Sequence, residues 1–131
     1  GRLSGTPLAD GGMSPMSGMD RKGPTAVLNS VSKIDSMLGS NGTLLNMKFL
    51  PVFFRDNNSR KAFVGLLRGF TRLKINHVQF NVVNRSDLLR AREHPDEYRN
   101  LTVRVAGYTA LFVDLAEDLQ DEIIARTVFG E

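Results

Sequence analysis

The spacing of apolar and polar residues changes period several times along the chain, and each change marks an element. In residues 24–38, "PTAVLNSVSKIDSML", the apolar Val27, Val31, Ile34 and Leu38 recur at helical spacing. Pro24 suits the first turn of that helix, and Gly39 and Gly42 follow its end. Residues 43–54, "TLLNMKFLPVFF", read as a strand stopped or edged by Pro51. A second helix is expected over 57–73, with Asn58 or Ser59 as its N-cap and Phe63, Leu66, Leu67 and Phe70 as its apolar face. "HVQFNVV" (77–83) alternates strictly: Val78, Phe80 and Val82 point one way, and His77, Gln79 and Asn81 the other. A short third helix capped by Ser86 and broken near Pro95 comes next, followed by a third strand over 101–107. The last helix covers 114–127, with Asp114 and Glu117 at capping-box spacing and a stripe of Leu115, Leu119, Ile123 and Ile124. Residues 1–24, rich in Gly, Pro, Ser and Asp, read as a long loop whose Leu8, Met13, Met16 and Met19 pack against other protein.

Strands alternating with helices predict an α/β fold with parallel neighbouring strands. Three strands with polar as well as apolar faces make a poor isolated sheet and a reasonable sector of a larger barrel. The 131 residues allow one domain or a piece of a longer one, and the first residue, Gly1, falls inside what reads as a loop, so a truncated or processed chain is expected. Seventeen Lys and Arg against 14 Asp and Glu give a net charge of +3, with the basic residues scattered rather than gathered into a stripe with interleaved aromatics, so nucleic acid is not an expected partner. The absence of cysteine excludes disulfides, thiolate metal sites and a cysteine nucleophile within these residues. Two histidines, His77 and His94, are too few for a metal cluster without carboxylates, and no metal site is predicted. No apolar run could span a bilayer and no signal peptide is visible, so no membrane role and a cytoplasmic location are expected.

Candidate chemistry is sparse. The polar face of the alternating strand, His77, Gln79 and Asn81, either meets water or lines a barrel lumen. His77 could act as a base near neutral pH, yet no partner stands out, and a structural or lumen-lining role is preferred; His94, beside Pro95, is expected to be exposed. "DGGMSP" lacks the Lys and the Ser/Thr spacing of a phosphate loop and no strand precedes it. Arg104 and Arg126 could bind anions, but a strand-end and a helix-face charge are preferred. In "RVAGYTALF" (104–112), Gly107 interrupts an apolar run. A turn explains it, because glycine alone takes positive φ without penalty. A second use is chemical. A radical at a glycine Cα spreads into the amide nitrogen and the carbonyl beside it when the centre is planar, and any Cβ would clash there. Pattern alone leaves both readings open.

"VRVAGYTALFVDL" with "LQDEIIART" resembles the C-terminal signature of the glycyl radical enzymes, the pyruvate formate-lyase-like family. "PLADGGMSP", "GPTAVLNSVSKID", "LLNMKF", "HVQFNVV" and "HPDEYRNLTVRVAGY" look like successive parts of the same C-terminal region, so the resemblance covers nearly the whole chain. It implies the last sector of a ten-stranded α/β barrel: a loop segment in 1–24, the last strands and helices in 25–100, and the glycyl radical loop with a C-terminal helix in 101–131. Gly107 matches the radical glycine, with Arg104, Val105, Ala106 and Tyr108 as its loop neighbours. The resemblance also implies partners. An activating enzyme with a [4Fe-4S] cluster and S-adenosylmethionine installs the radical, so no bound cofactor is expected. The remainder of the barrel carries the cysteine that becomes a thiyl radical and attacks a small-molecule substrate, and the parent is expected to be a homodimer.

Two departures stand out. The chain has no cysteine, so alone it can hold a radical without turning over substrate. "LKIN" (Leu73–Asn76) stands where many relatives carry a glycine pair, so the entry to the "HVQFN" strand is expected to differ. "VRVAGY" and "HVQFN" look closer to the dehydratase, amine-lyase and decarboxylase branch than to pyruvate formate-lyase itself. The alternative to a part of a longer lyase is a stand-alone, non-catalytic spare part that restores an oxygen-damaged glycyl radical enzyme.

Overall fold

In the computed structural model, residues 3–5, 9 and 11–126 are described. The order of elements is α1 (Pro24–Val31), β1 (Leu44–Phe49), α2 (Asn57–Arg72), β2 (His77–Val82), α3 (Arg85–Glu93), β3 (Thr102–Arg104), β4 (Thr109–Leu111) and α4 (Glu117–Ala125), with short 3-10 turns between them. The fold is α/β, as the alternation predicts. β1 and β2 lie parallel with α2 as their crossover, while β3 and β4 form an antiparallel hairpin.

Several elements differ from the sequence expectation for local reasons. The first helix stops at Val31 instead of running to Leu38. The Ser32 hydroxyl donates to the Asn29 carbonyl, and the Asp35 carboxylate accepts from the Met37 N–H, so local side-chain bonds compete with the helical ladder. Leu38 consequently points to solvent. Pro51 ends β1 and opens a 3-10 turn, Pro51–Phe54, rather than edging a longer strand. The α2 cap is Asp56, not Asn58 or Ser59; its carboxylate accepts from both of their N–H groups at 2.8 and 2.9 Å. α3 starts at Arg85 after Asn84, so Ser86 is not its cap. Asp114 caps nothing: α4 begins after Ala116, and the buried Gln120 side chain donates instead to the carbonyls of Phe112 and Leu115. The third strand is shorter than expected, and the pattern missed β4, because three residues, Thr-Ala-Leu, carry too little periodicity to register. Of the four loop residues expected to pack, Met13 joins the core, Met16 and Met19 are exposed, and Leu8 lies outside the described residues.

The apolar residues gather into two cores. The first holds Val27, Leu28 and Val31 of α1 with Leu45, Met47 and Phe49 of β1, closed by Leu66 and Ile75. Around Phe49, the rings of Phe53, Phe54, Phe63 and Phe80 lie within 5.3–6.1 Å of its centroid, mostly tilted or edge-on. The second core joins Val83, Leu88 and Ala91 to Val103, Val105, Phe112, Ile123 and Ile124.

The end of α2 shows what replaces the glycines at "LKIN". The Lys74 N–H donates to the Thr71 carbonyl and the Ile75 N–H to the Phe70 carbonyl, a Schellman closure with Phe70 and Ile75 both in the first core. Lys74 holds the left-handed position at φ 54°, the one non-glycine residue with positive φ among those described. A side chain there costs about 1 kcal/mol that glycine avoids. Lys74→Gly is therefore expected to stabilise the fold by about 0.5–1 kcal/mol in urea unfolding; a loss of stability would contradict this account of the helix end.

Candidate functional site

Parallel pairing puts Asn46 opposite Gln79 and Lys48 opposite Asn81. Because alternate residues share a face, these four form a polar ladder on the side of the sheet away from the phenylalanines. Of the two readings of this face, contact with water fails for Gln79 and Asn81, which are only 7% and 9% exposed. What covers it is the β3–β4 hairpin. In β3 the alternation Val103-Arg104-Val105 sends both valines into the second core and Arg104 toward the ladder.

Arg104 is the centre of the contact. Its Nη2 donates to Gln79 Oε1 at 2.7 Å and its Nη1 to Thr109 Oγ1 at 2.9 Å. Gln79 in turn donates to Asn46 Oδ1 at 2.8 Å, and the Asn46 N–H donates to Ser14 Oγ at 3.0 Å. Asn81 grips the backbone of the same arginine on both sides. Its Oδ1 accepts from the Arg104 N–H at 3.1 Å, and its Nδ2 donates to the Arg104 carbonyl at 2.7 Å. From the end of α4, Arg126 Nη1 donates to the carbonyls of Val105 and Arg104 at 3.1 and 3.3 Å. Neither arginine is the bare strand-end or helix-face charge expected: both are spent on the hairpin.

The hairpin closes with the Val105 N–H donating to the Tyr108 carbonyl at 3.0 Å. Ala106 and Gly107 form the tip, and no hydrogen bond among the described residues reaches either. Gly107 has φ 85°, the value a four-residue turn demands of glycine at its third position. A Cβ added there would meet nothing within 4 Å, so backbone conformation, not crowding, sets the requirement for glycine. Val105 is buried; Ala106, Gly107 and Tyr108 are exposed.

The described part of "DGGMSP", residues 11–15, is a packing loop. The Met13 N–H donates to the Leu44 carbonyl at 2.8 Å, and a Cβ on Gly12 would sit 2.9 Å from that same oxygen. A Cβ on Gly11 would come 3.7 Å from the Ala106 Cβ, so this loop reaches the hairpin tip. His77 is exposed at the start of β2 and takes no part in the ladder's bonds, and His94 is exposed beyond α3. Among the described residues no group of three His, Cys, Asp or Glu could hold a metal, and no helix is long and apolar enough to cross a membrane.

Sequence reasoning missed Ser14, Asn46, Lys48 and Thr109. The signal for two of them was present: Asn46 and Lys48 alternate with Leu45, Met47 and Phe49 just as Gln79 and Asn81 alternate with Val78 and Phe80. Two such strands placed side by side must produce a polar strip.

Comparison with known proteins gives consistent matches. A protein-family model described as "Glycine radical" matches residues 9–113. The chain is 48% identical over 128 residues to the probable dehydratase YbiW of Escherichia coli strain K12, covering 97% of this chain and 16% of that protein. It is 47% identical to an isethionate sulfite-lyase of Oleidesulfovibrio alaskensis, covering 97% of this chain and 15% of that enzyme. Among solved structures, the glycerol-bound B12-independent glycerol dehydratase of Clostridium butyricum superposes with a TM-score of 0.90 at 49% identity, over 97% of this chain and 16% of that one. The chain thus spans about 16% of the length of such relatives.

The Asn81 grip can be tested directly. Asn81→Ala leaves the part-buried N–H of Arg104 without its partner and its carbonyl with Arg126 alone, a cost of about 1–3 kcal/mol. Urea unfolding should register that loss, and the Arg104 amide should exchange with solvent faster. Unchanged exchange at Arg104 would mean that the grip does not hold the hairpin.

Proposed function

The chain belongs to the glycine radical family, beside dehydratases and lyases, and from that premise we propose that it is the radical-bearing part of a longer glycyl radical lyase or dehydratase. The observation that carries the proposal is Gly107 at an exposed hairpin tip whose legs are pinned from two sides while the tip carries no bond. A group that must give up a hydrogen atom to one protein surface and later reach another is well served by a tip that is presented but firmly based.

On this reading the Cα–H bond of Gly107 breaks homolytically. Its hydrogen atom leaves to an activating enzyme that uses S-adenosylmethionine and a [4Fe-4S] cluster. The unpaired electron stays on Gly107, spread over the adjoining peptide groups. The radical then takes the hydrogen atom of a cysteine S–H, restoring glycine and leaving a thiyl radical that attacks a small substrate; when turnover ends, the hydrogen atom passes back from glycine to sulfur. This chain has no cysteine, so the thiol belongs to the remainder of the parent. That remainder would complete a ten-stranded barrel and enclose the tip, with 1–24 as a loop segment, 25–100 as the last strands and helices and 101–131 as the radical loop with its helix. His77, Gln79 and Asn81 would face the inside of that barrel, and the parent would act as a homodimer. The relatives named are a probable dehydratase, a sulfite-lyase and a glycerol dehydratase, which supports elimination from a small hydroxylated substrate as the reaction class. The same relatives are long enzymes, and they lend no support to a stand-alone spare part.

Activation of the full-length parent tests the assignment. Incubated anaerobically with its activating enzyme and S-adenosylmethionine, it should give an electron paramagnetic resonance doublet from the one remaining α-hydrogen of Gly107. Gly107→Ala should abolish it, while hydrogen exchange at Arg104 reports whether the hairpin legs stay in place. A doublet that persists in Gly107→Ala sinks the assignment.

A further inference from the structure

The ladder and hairpin account for one side of the tip's support; the other side comes from α4. Lys48, buried in β1, donates from Nζ to the Ile123 carbonyl at 3.2 Å, placing an ammonium where the last carbonyls of α4 concentrate negative partial charge. The helix so fixed ends at Ala125, and Arg126 turns back at once to the hairpin. Its side chain is 10% exposed and lies along Glu122 Oε1 at 3.4 Å. Its Nη1 reaches the carbonyl of Val105, the last pinned residue before the tip. No other hydrogen bond among the described residues reaches that carbonyl.

We propose that Arg126 is a positioning residue for the Gly107 tip: Lys48 sets the end of α4, and Arg126 transmits that position to the carbonyls of Arg104 and Val105. The inference rests on the reading of Gly107 given above and adds the device that aims it. Arg126 does not touch Gly107. It fixes the base from which two unbonded residues project, so that the direction of the tip follows the direction of α4. Loss of the guanidinium leaves the buried Val105 carbonyl without its donor, and Asn81 and Gln79 remain as the side-chain hydrogen bonds from β2 to the hairpin. The fraction of molecules with the tip out of place then rises about tenfold, the equivalent of about 1.4 kcal/mol.

The test uses the full-length parent in two measurements. In the unactivated protein, hydrogen exchange at the Val105 amide should rise about tenfold in Arg126→Ala and less in Arg126→Lys, which keeps the charge but not the planar fork. After activation, the glycyl doublet, scaled to its starting spin, should decay fastest in Arg126→Ala, more slowly in Arg126→Lys and slowest in wild type. Arg99→Ala, which removes only an exposed ion pair with Asp96, should match wild type. If Arg126→Ala does not fold, the comparison of Arg126→Lys with wild type decides. A wild-type doublet with equal lifetimes and equal Val105 exchange in the variants overturns the positioning role and leaves the Gly107 reading standing. A wild-type parent that gives no doublet overturns the Gly107 reading, and the role of Arg126 in aiming a radical falls with it.

Discussion

The two-sided bond between Asn81 and the backbone of Arg104 is the interaction on which the rest depends. The molecule has two apolar cores, one around Phe49 and one around Phe112, and the polar ladder on β2 is where hydrogen bonds cross between them. An amide side chain suits this position because it matches a peptide group donor for acceptor. It extends the hydrogen bonding of β2 to β3 without β3 having to join the sheet. Arg104 then uses its side chain for Gln79 and Thr109, so one residue is held through both its backbone and its guanidinium. Burying this much polarity is tolerable only because the partners are satisfied.

Anchoring of this kind has a chemical use. A stored radical needs a backbone position free of side chain, and it needs that position to be reproducible, since hydrogen-atom transfer works only over short distances. The hairpin separates the two requirements. Its legs carry the bonds, up to the Val105 N–H and carbonyl, and its tip carries glycine. The φ of 85° at Gly107 would by itself justify a glycine in any hairpin, so the turn and the proposed radical ask for the same residue. Within this chain the tip is open to solvent, and protection of a radical there would have to come from the rest of the parent enzyme.

Much of the fold was legible in the sequence. The phenylalanines of α2 and the strict alternation of "HVQFNVV" announce a βαβ unit, and the valines flanking Arg104 announce a strand with one polar side chain facing out. What the sequence hid was which elements meet. Gln79 and Asn81 look like a wet face until β3 is known to lie over them, and Arg126 looks like a helix-surface charge until its side chain is known to reach the hairpin carbonyls. Local competition explains the other misses: Asp56 reaches two N–H groups that Asn58 and Ser59 were expected to cap around, and Asp35 with Ser32 ends a helix whose apolar spacing continues to Leu38. The proposed role of Gly107 rests on the resemblance carried by "VRVAGYTALF", whereas periodicity alone offered a turn.

The most direct measurement of the central claim is the mass of the activated full-length parent after exposure to oxygen. Oxygen adds to a radical at the Gly107 Cα and the N–Cα bond breaks, leaving the Ala106 end as an amide and the two glycine carbons as an oxidised acyl cap on the Tyr108 nitrogen. The account therefore predicts a new C-terminal fragment whose mass is that of the chain from Tyr108 plus this cap, and an uncut chain when activation is omitted. A chain that stays whole after activation, or one cut at another residue, would contradict it.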